Sequence, residues 1–200
     1  MKQEKVWNAI AEEWRKYRVK PVKEAKNFIK KTKGRILDLG CGSGRNFAKT
    51  KGTIYGIDFS QKMLKYAKEY AKSKGFKVIT KKASATKIPF KNNFFDRAIF
   101  ISTLHCIKSK KSRERALKEL NRVLKQGAEA MISVWSRKQK RLKNKPKECM
   151  IPWTVKGKKY YRYTYIYNKK ELQKLLKKIG FKILKTEENE NIIIIVRKIL

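Results

Sequence analysis

The 200-residue sequence is poor in cysteine, histidine and acidic residues, and it has no long apolar run. Its three cysteines (Cys41, Cys106 and Cys149) lack CxxC or Cys/His metal spacing, which argues against a disulfide framework or a metal site. The densest apolar run, Ile192 to Val196, is only long enough for a strand. The N-terminus lacks the apolar core of a secretion signal. We therefore expect a cytoplasmic protein with no contact to membranes.

Positive charge is abundant, because 54 lysines and arginines stand against 16 acidic residues and give a net charge of +38. Such a field attracts polyanions, of which RNA is the one we predict. A compositional drift towards lysine is the alternative explanation. Heat adaptation would balance lysine with glutamate, which this sequence does not do.

Apolar segments of strand length alternate with amphipathic helical segments through most of the chain. The order predicts one domain over residues 1–200 with an α/β, Rossmann-like fold. We expect a seven-stranded, mostly parallel sheet with helices on both faces and a C-terminal antiparallel hairpin. Residues 1–31 are predicted to form a helical cap that precedes the first strand.

The periodic pattern stops after Trp135. Residues 137–162 contain eleven basic residues and one acidic residue, and aromatic residues are mixed among them. Cations alternating with aromatic rings suit RNA phosphates and unstacked bases. We therefore predict a basic substrate-binding insertion over residues 137–163, with Trp135, Trp153 and Tyr163 as candidate substrate contacts. A solvated basic loop with a few aromatics tucked into the core remains the alternative.

A glycine-rich segment, Asp38-Leu39-Gly40-Cys41-Gly42-Ser43-Gly44, lies where the first strand ends and a helix is expected to begin. Glycines let the backbone approach a ligand closely. Asp58 ends the next strand, where its carboxylate can accept the ribose hydroxyls of a nucleoside cofactor. The predicted cofactor contacts are Asp38, Gly40, Cys41, Gly42, Gly44, Asp58, Phe59, Ser84, Ala85 and Ser102.

The spacing GxGxG with a preceding Asp38 disfavours a phosphate and favours a cationic ligand. This segment resembles the first motif of class I S-adenosylmethionine-dependent methyltransferases. The resemblance spans residues 35–135 and includes Asp58-Phe59-Ser60 and Ile88-Pro89-Phe90. It implies S-adenosylmethionine as the cofactor. Ser84 stands where most such enzymes carry an acidic residue that binds adenine, so its role as an adenine contact or a surface serine stays open.

The residues after the fourth strand narrow the acceptor. The sequence Ser102-Thr103-Leu104-His105-Cys106 replaces the Asn/Asp-Pro-Pro-Tyr/Phe motif of amino-group methyltransferases, and no Pro-Cys pair supplies a nucleophile. The acceptor is therefore expected to be nucleophilic already, for instance a carboxylate or another oxygen.

Further segments, on both sides of the glycine-rich motif, are similar to segments of tRNA wobble-uridine carboxymethyl methyltransferases. The similar segments are residues 6–14, Arg18-Val19-Lys20-Pro21, Leu104-His105, Val134-Trp135, Pro152-Trp153 and Arg162-Tyr163. The resemblance implies esterification of 5-carboxymethyluridine in tRNA, with a small zinc-containing activator protein as a possible partner.

A cation must orient that carboxylate, and Arg18, Lys20 and Arg162 are the candidates. His105 is expected to bond the substrate or, alternatively, to serve packing. Two other functions stay open at this point: a small-molecule O- or N-methyltransferase, and an RNA-binding protein with a vestigial cofactor site.

Overall fold

The computed structural model describes residues 2–199, and its centre is a seven-stranded sheet in the order β3-β2-β1-β4-β5-β9-β8. Strands β1 to β5 run parallel, and β9 is antiparallel to both of its neighbours, β5 and β8. The strands are β1 (Arg35–Leu39), β2 (Thr53–Asp58), β3 (Val78–Lys82), β4 (Phe95–Ile101), β5 (Leu124–Trp135), β6 (Glu148–Val155), β7 (Lys158–Tyr165), β8 (Phe181–Glu188) and β9 (Asn191–Lys198). The predicted mostly parallel sheet with a C-terminal hairpin is confirmed.

Helices cover both faces of this sheet. They are α1 (Gln3–Tyr17), α2 (Lys23–Lys30), α3 (Gln61–Ser73), α4 (Lys110–Val123) and α5 (Lys169–Lys178). The apolar sides of α2 and α3 pack on one face, and those of α4 and α5 pack on the other. Side-chain caps fix three helix starts, since Ser60 Oγ accepts from Met63 N, Ser109 Oγ from Ser112 N and Asn168 Oδ1 from Glu171 N.

The helix expected directly after the glycine loop does not form, and this prediction is wrong. Residues 40–52 make turns, such as those closed by Gly44 N to Cys41 O and Phe47 N to Gly44 O. Gly40, Gly42 and Gly44 all have positive φ values, which a right-handed helix excludes. Only eight residues then remain before β2, too few for the loop to close and a stable helix to follow.

Residues 137–147 of the basic insertion form turns and a short 3-10 helix (Lys140–Leu142). The rest of the insertion forms an antiparallel hairpin, β6–β7, paired from Glu148–Tyr165 to Val155–Lys158. Its inner side buries Arg162 and Thr164, both polar. Because buried positions of β7 carry polar residues, the strand lacks the alternation of polar and apolar residues by which a half-buried strand is recognised.

Helix α1 lies over the C-terminal ends of the parallel strands and joins two elements. Asn8 Oδ1 accepts from Ser60 Oγ at 2.8 Å and from Lys62 N at 3.1 Å, at the start of α3. Gln3 bonds the β7 backbone twice, donating to Tyr161 O and accepting from Tyr163 N. The predicted helical cap thus consists of α1 and α2. No helix within residues 2–199 is long and apolar enough to cross a membrane.

Candidate active site

Three adjoining cavities open at the C-terminal ends of the parallel strands, where α/β sheets place ligands. We name them by one feature each: the loop cavity (about 70 Å³) beside Gly42, the Ser84 cavity (about 200 Å³), and the Arg162 cavity (about 430 Å³). The loop and Ser84 cavities share Gly40, Asp58, Phe59, Thr103 and Cys106. The loop and Arg162 cavities share Trp7, Trp14, Arg45, Ser102 and Cys106. The three therefore form one continuous cleft.

The glycine loop shapes the first cavity. Gly40 has φ +72°, and a Cβ there would lie 2.3 Å from the Thr103 side chain, so only glycine fits. Gly42, with φ +55°, has nothing within 4 Å of its Cβ position. The backbone at Gly42 is therefore open to a ligand.

Asp58 closes the end of β2 between the loop and Ser84 cavities. Its Oδ2 accepts from Gly42 N at 3.0 Å, and its Oδ1 accepts from Ser60 N at 2.8 Å. Burial raises the pKa of Asp58 to about 6, against the opposing effect of these backbone donors. Each oxygen keeps lone-pair capacity for a further donor, as the two hydroxyls of a ribose require.

Asp38 lies beneath the same loop and is almost completely buried. Its Oδ2 has no hydrogen-bond partner within residues 2–199. Burial, followed by the negative charge of Asp58, raises the pKa of Asp38 to about 7, while Arg45 opposes the rise. Asp38 is not among the residues that line the three cavities. A buried carboxylate with an unpartnered oxygen favours a nearby positive charge and donor, and its contact with a cofactor stays a prediction.

The Ser84 cavity receives Phe59, Ser84 and Ala85 from the ends of β2 and β3. The Ser84 hydroxyl already lies 2.8 Å from Thr86 Oγ1 and accepts from Thr86 N. Ser84 therefore lines the cavity with its hydroxyl engaged locally, and its role towards adenine stays a prediction. Ser102, at φ +53°, lines both the loop and Arg162 cavities.

Arg162 is the most unusual side chain of the cleft. It is 2% exposed, and its guanidinium carbon lies 5.1–5.8 Å from the ring centroids of all four tryptophans, Trp7, Trp14, Trp135 and Trp153. Its Nε has no hydrogen-bond partner in the described chain, and none of the twelve ion pairs there includes it. Burial, with the charges of Arg141 and Arg18, lowers the pKa of Arg162 to about 10. It is thus a charged, unneutralised cation at pH 7.

Three more arginines line the Arg162 cavity: Arg18, Arg45 and Arg141. Arg141 lies 4.2 Å above the Trp135 ring and donates from Nε to Gln139 Oε1. Burial and the charge of Arg18 lower the pKa of both Arg45 and Arg141. Three glutamates, Glu24, Glu187 and Glu190, line the same cavity, so the four arginines exceed the acidic residues by one. This excess of positive charge, with Arg162 itself unpaired, favours an anionic ligand.

His105 does not reach the cleft, which corrects the expected substrate hydrogen bond. It is fully buried, its ring lies 4.6 Å from the Trp135 ring, and its Nδ1 accepts from Trp135 N at 3.4 Å. Burial, followed by the charges of Arg162 and Arg141, lowers the pKa of His105 to about 3. A neutral ring in this position packs on Trp135, and its Nε2 has no hydrogen-bond partner within residues 2–199.

Three predicted substrate contacts also lie outside the cleft. Tyr163 is buried in the main core, where its hydroxyl accepts from Arg113. Trp153 packs on Trp14 at 4.9 Å, so it reaches Arg162 but lines none of the three cavities. Lys20 is exposed and lines none of the three cavities. Trp135 alone of the aromatic candidates lines the Arg162 cavity.

Some of the remaining predicted residues are structural. Gly44 packs against Phe47, and a Cβ there would lie 2.7 Å from its ring. Cys41 and Cys106 line the cleft, but burial raises the pKa of both thiols, that of Cys106 to about 12. Both stay protonated at neutral pH. No group of three potential metal ligands occurs in residues 2–199.

Sequence reasoning missed the roles of Trp7, Trp14, Arg45 and Arg141 in the lining of the cleft. Trp7 and Trp14 are seven residues apart and so share one side of α1, which was a usable signal. Arg45 follows the glycine loop directly. Nothing in the local pattern marks Arg141.

Residues 37–132 match the family model described as a methyltransferase domain. A protein of Encephalitozoon cuniculi whose name describes it as a methyltransferase is 30% identical over 156 residues, covering 74% of this chain and 70% of the relative. The tRNA (carboxymethyluridine(34)-5-O)-methyltransferase of Schizosaccharomyces pombe is 27% identical over 208 residues, 90% of this chain and 88% of the relative. The chain spans only about a quarter of the length of the first curated relatives it matches.

Solved structures share the fold. A methyltransferase from Methanosarcina mazei superposes with a TM-score of 0.74 at 24% identity, covering 90% of this chain and 99% of that one. A chain from the complex of the Haloferax volcanii Trm112 methyltransferase activator and its methyltransferase has a TM-score of 0.72 at 13% identity, with 99% and 96% coverage.

Proposed function

Because the chain belongs to the class I S-adenosylmethionine-dependent methyltransferases, we propose that it methylates tRNA, forming an ester on the carboxylate of 5-carboxymethyluridine at the wobble position. One observation carries the choice of a carboxylate acceptor. Arg162 is a buried cation that forms no ion pair within residues 2–199, and it lines the cavity that borders the cofactor site. The S. pombe relative, named for this reaction, supports the same acceptor.

The cofactor contacts follow from the site geometry. Asp58 would hold the ribose hydroxyls, and the open backbone at Gly42 would face the methionine part. Asp38, buried and unpartnered, would complement the positive charge of that part. The Ser84 cavity, with Phe59 and Ala85, is left for the adenine. S-adenosylmethionine, when bound, supplies an electrophilic methyl group on a sulfonium.

Transfer is expected where the loop and Arg162 cavities meet. Trp7, Trp14 and Ser102 line both cavities, so they form the border across which acceptor and methyl group would face each other. With both ligands bound, the tryptophan rings would limit the access of water there. Positioning of two reactants can supply about 7–11 kcal/mol of a barrier.

The acceptor requires no general base from the protein. A carboxylate is ionised at pH 7 and attacks through its own oxygen. The protein therefore has only to orient it, and Arg162 would do so through its guanidinium N–H groups. The surrounding tryptophan rings fix that guanidinium without using its donors. Arg18 stands at the same cavity as a second cation.

The RNA part of the proposal rests on charge and on the relatives. A net charge of +38 suits a polyphosphate acceptor. A small-molecule acceptor would fill the Arg162 cavity equally well, so small carboxylic acids must be assayed as acceptors beside tRNA. The predicted cytoplasmic location and the substrate-contacting role of residues 137–163 remain predictions.

We also propose an activator partner, supported by the neighbour solved with the Trm112 activator. Assaying the chain alone and with a Trm112-type protein tests this. A gain in activity or thermal stability on mixing supports the partner, and equal values with and without it contradict it.

The decisive experiment is methyl transfer from labelled S-adenosylmethionine to tRNA that carries 5-carboxymethyluridine. Unmodified tRNA is the control, and small carboxylic acids are a separate acceptor arm. Label should enter only the carboxymethylated tRNA and should be released by mild base, as a methyl ester is. Base-stable label, or label only in small carboxylic acids, would refute the proposal. Asp58→Ala should abolish transfer by weakening cofactor binding.

A further inference from the structure

A fourth cavity adjoins the cleft and shares Ser43 and Arg45 with the loop cavity. It is a groove of about 340 Å³ between α1 and α3, which we call the Tyr66 groove. Its wall includes Arg15, Arg18, Arg45, Tyr66, Tyr70 and Ser73. Arg18 and Arg45 also line the Arg162 cavity, so the groove and that cavity are continuous.

Two arginines face each other where the groove joins the cavity. Burial and the charge of Arg18 lower the pKa of Arg45, with the buried Asp38 as the weaker, opposing influence. Neither Arg18 nor Arg45 takes part in an ion pair in the part of the chain that the structure describes. An anion at the junction would relieve this repulsion.

The groove itself combines flat rings with a fixed cation. The Arg15 guanidinium lies 4.0 Å above the Tyr66 ring and is held by Glu69 at 2.8 Å. Tyr70 is half-buried and packs edge-on against Phe76. Rings and arginine planes along a basic path are the usual binding surface for the unstacked bases of single-stranded RNA.

We propose that the Tyr66 groove binds the nucleotide adjacent to the one that is methylated, with their connecting phosphodiester held between Arg18 and Arg45. This inference rests on the proposed RNA acceptor and extends it. The occupant is the same RNA strand, because the groove continues directly from the acceptor cavity. A duplex could not place one nucleotide in each cavity, so the substrate must be an unpaired loop.

Photocrosslinking tests the occupant directly. An anticodon stem-loop would carry 5-iodouridine next to the wobble position, and the crosslinked peptide would be identified by mass spectrometry. We expect the crosslink on Tyr66 or Tyr70. Crosslinks confined to the β6–β7 hairpin or to α4 and α5 would overturn the proposal.

Binding of the same stem-loop gives a quantitative test. Tyr66→Ala should weaken binding about tenfold, while Tyr66→Phe, which keeps the ring, should stay within twofold. Ser73→Trp, a groove-filling change at an exposed position, should weaken binding in the same way if Tyr66→Ala folds poorly. Wild-type affinity in both Tyr66→Ala and Ser73→Trp would refute the groove.

The salt dependence of RNA binding tests the proposed contact between Arg18 and the phosphodiester. Arg18→Gln should reduce the slope of log K against log salt by about 0.7, the value for one single-strand phosphate contact. Arg115→Gln removes the same charge on α4, outside the groove, and should change the slope less. Equal slopes for the two variants would overturn the Arg18 contact.

The inference and the proposed function fail differently. If wild-type protein does not esterify tRNA but crosslinks through Tyr66, the proposed reaction is wrong and the RNA groove stands. If esterification occurs but the crosslink and the Tyr66→Ala effect are absent, the groove alone is refuted.

Discussion

At the residue scale, Arg162 is the side chain that defines the acceptor cavity. A buried cation without a counter-ion costs folding free energy, since it loses hydration and gains no ion pair. The four surrounding tryptophan rings offset part of this cost by cation–π attraction. The unused guanidinium donors are then available to an anionic acceptor.

Arg162→Met should separate activity from stability. We expect kcat/KM for methyl transfer to fall about 100-fold, because a hydrogen bond to a charged group contributes about 1.5–3 kcal/mol. Thermal unfolding should show no loss of stability, since the variant no longer buries an unpaired charge. Arg162→Lys keeps the charge but not the planar guanidinium, so its kcat/KM should lie between those of wild type and Arg162→Met. A methionine variant with wild-type activity would contradict the assigned role.

Asp38, on the cofactor side of the cleft, is also buried without a counter-ion within residues 2–199. Its contribution to folding stability is expected to depend on pH. Its folded-state pKa of about 7 lies above the unfolded value of about 3.8. The folded state therefore binds more protons between these values, and the stability contribution of Asp38 falls as the pH rises through this range.

Asp38→Asn removes this pH-dependent cost. We expect the variant to gain stability at pH 8 relative to wild type, and to gain on the order of 2 kcal/mol less at pH 5. Urea unfolding at both pH values measures the difference. Calorimetry should show weaker S-adenosylmethionine binding by the same variant. An identical gain at pH 5 and pH 8 would show that the Asp38 pKa is not raised.

At the scale of elements, α1 is the cover of the active site. Its Trp7 and Trp14 line both the loop and Arg162 cavities, and Gln3 ties its start to β7. The two sides of strand β7 have different surroundings, because Arg162 lines the cleft while the adjacent Tyr163 packs in the main core. The hydrogen bonds of Gln3 therefore hold α1 in a fixed position relative to Arg162.

Gln3→Ala should loosen this arrangement. It removes one donor and one acceptor to the β7 backbone, so we expect a loss of about 1–2 kcal/mol of stability. The KM for the acceptor should rise, because Trp7 and Trp14 of α1 line the Arg162 cavity. Gln3→Glu keeps the oxygen that accepts from Tyr163 N and should be milder. Thermal unfolding and steady-state kinetics measure both effects, and an alanine variant equal to wild type would contradict the tie.

At the scale of the whole molecule, the net charge of +38 sets how an acceptor arrives. If tRNA binds through about 6–10 phosphates, raising the salt from about 50 to 200 mM should lower affinity by about 10³–10⁵-fold. Fluorescence anisotropy with labelled tRNA measures this. A small-molecule acceptor predicts little change, so a flat salt dependence would favour that alternative.

The sequence alone determined the sheet, the glycine loop, Asp58 and the positive field, because strand and helix periods, glycine spacing and charge are local properties. It did not determine the hairpin of residues 148–165, whose buried side contains polar residues. Only the tertiary structure brought tryptophans from α1, β5 and β6 around Arg162 of β7 and buried His105 behind Trp135. A periodic pattern shows which side of an element is apolar, but not which distant side chain packs against it.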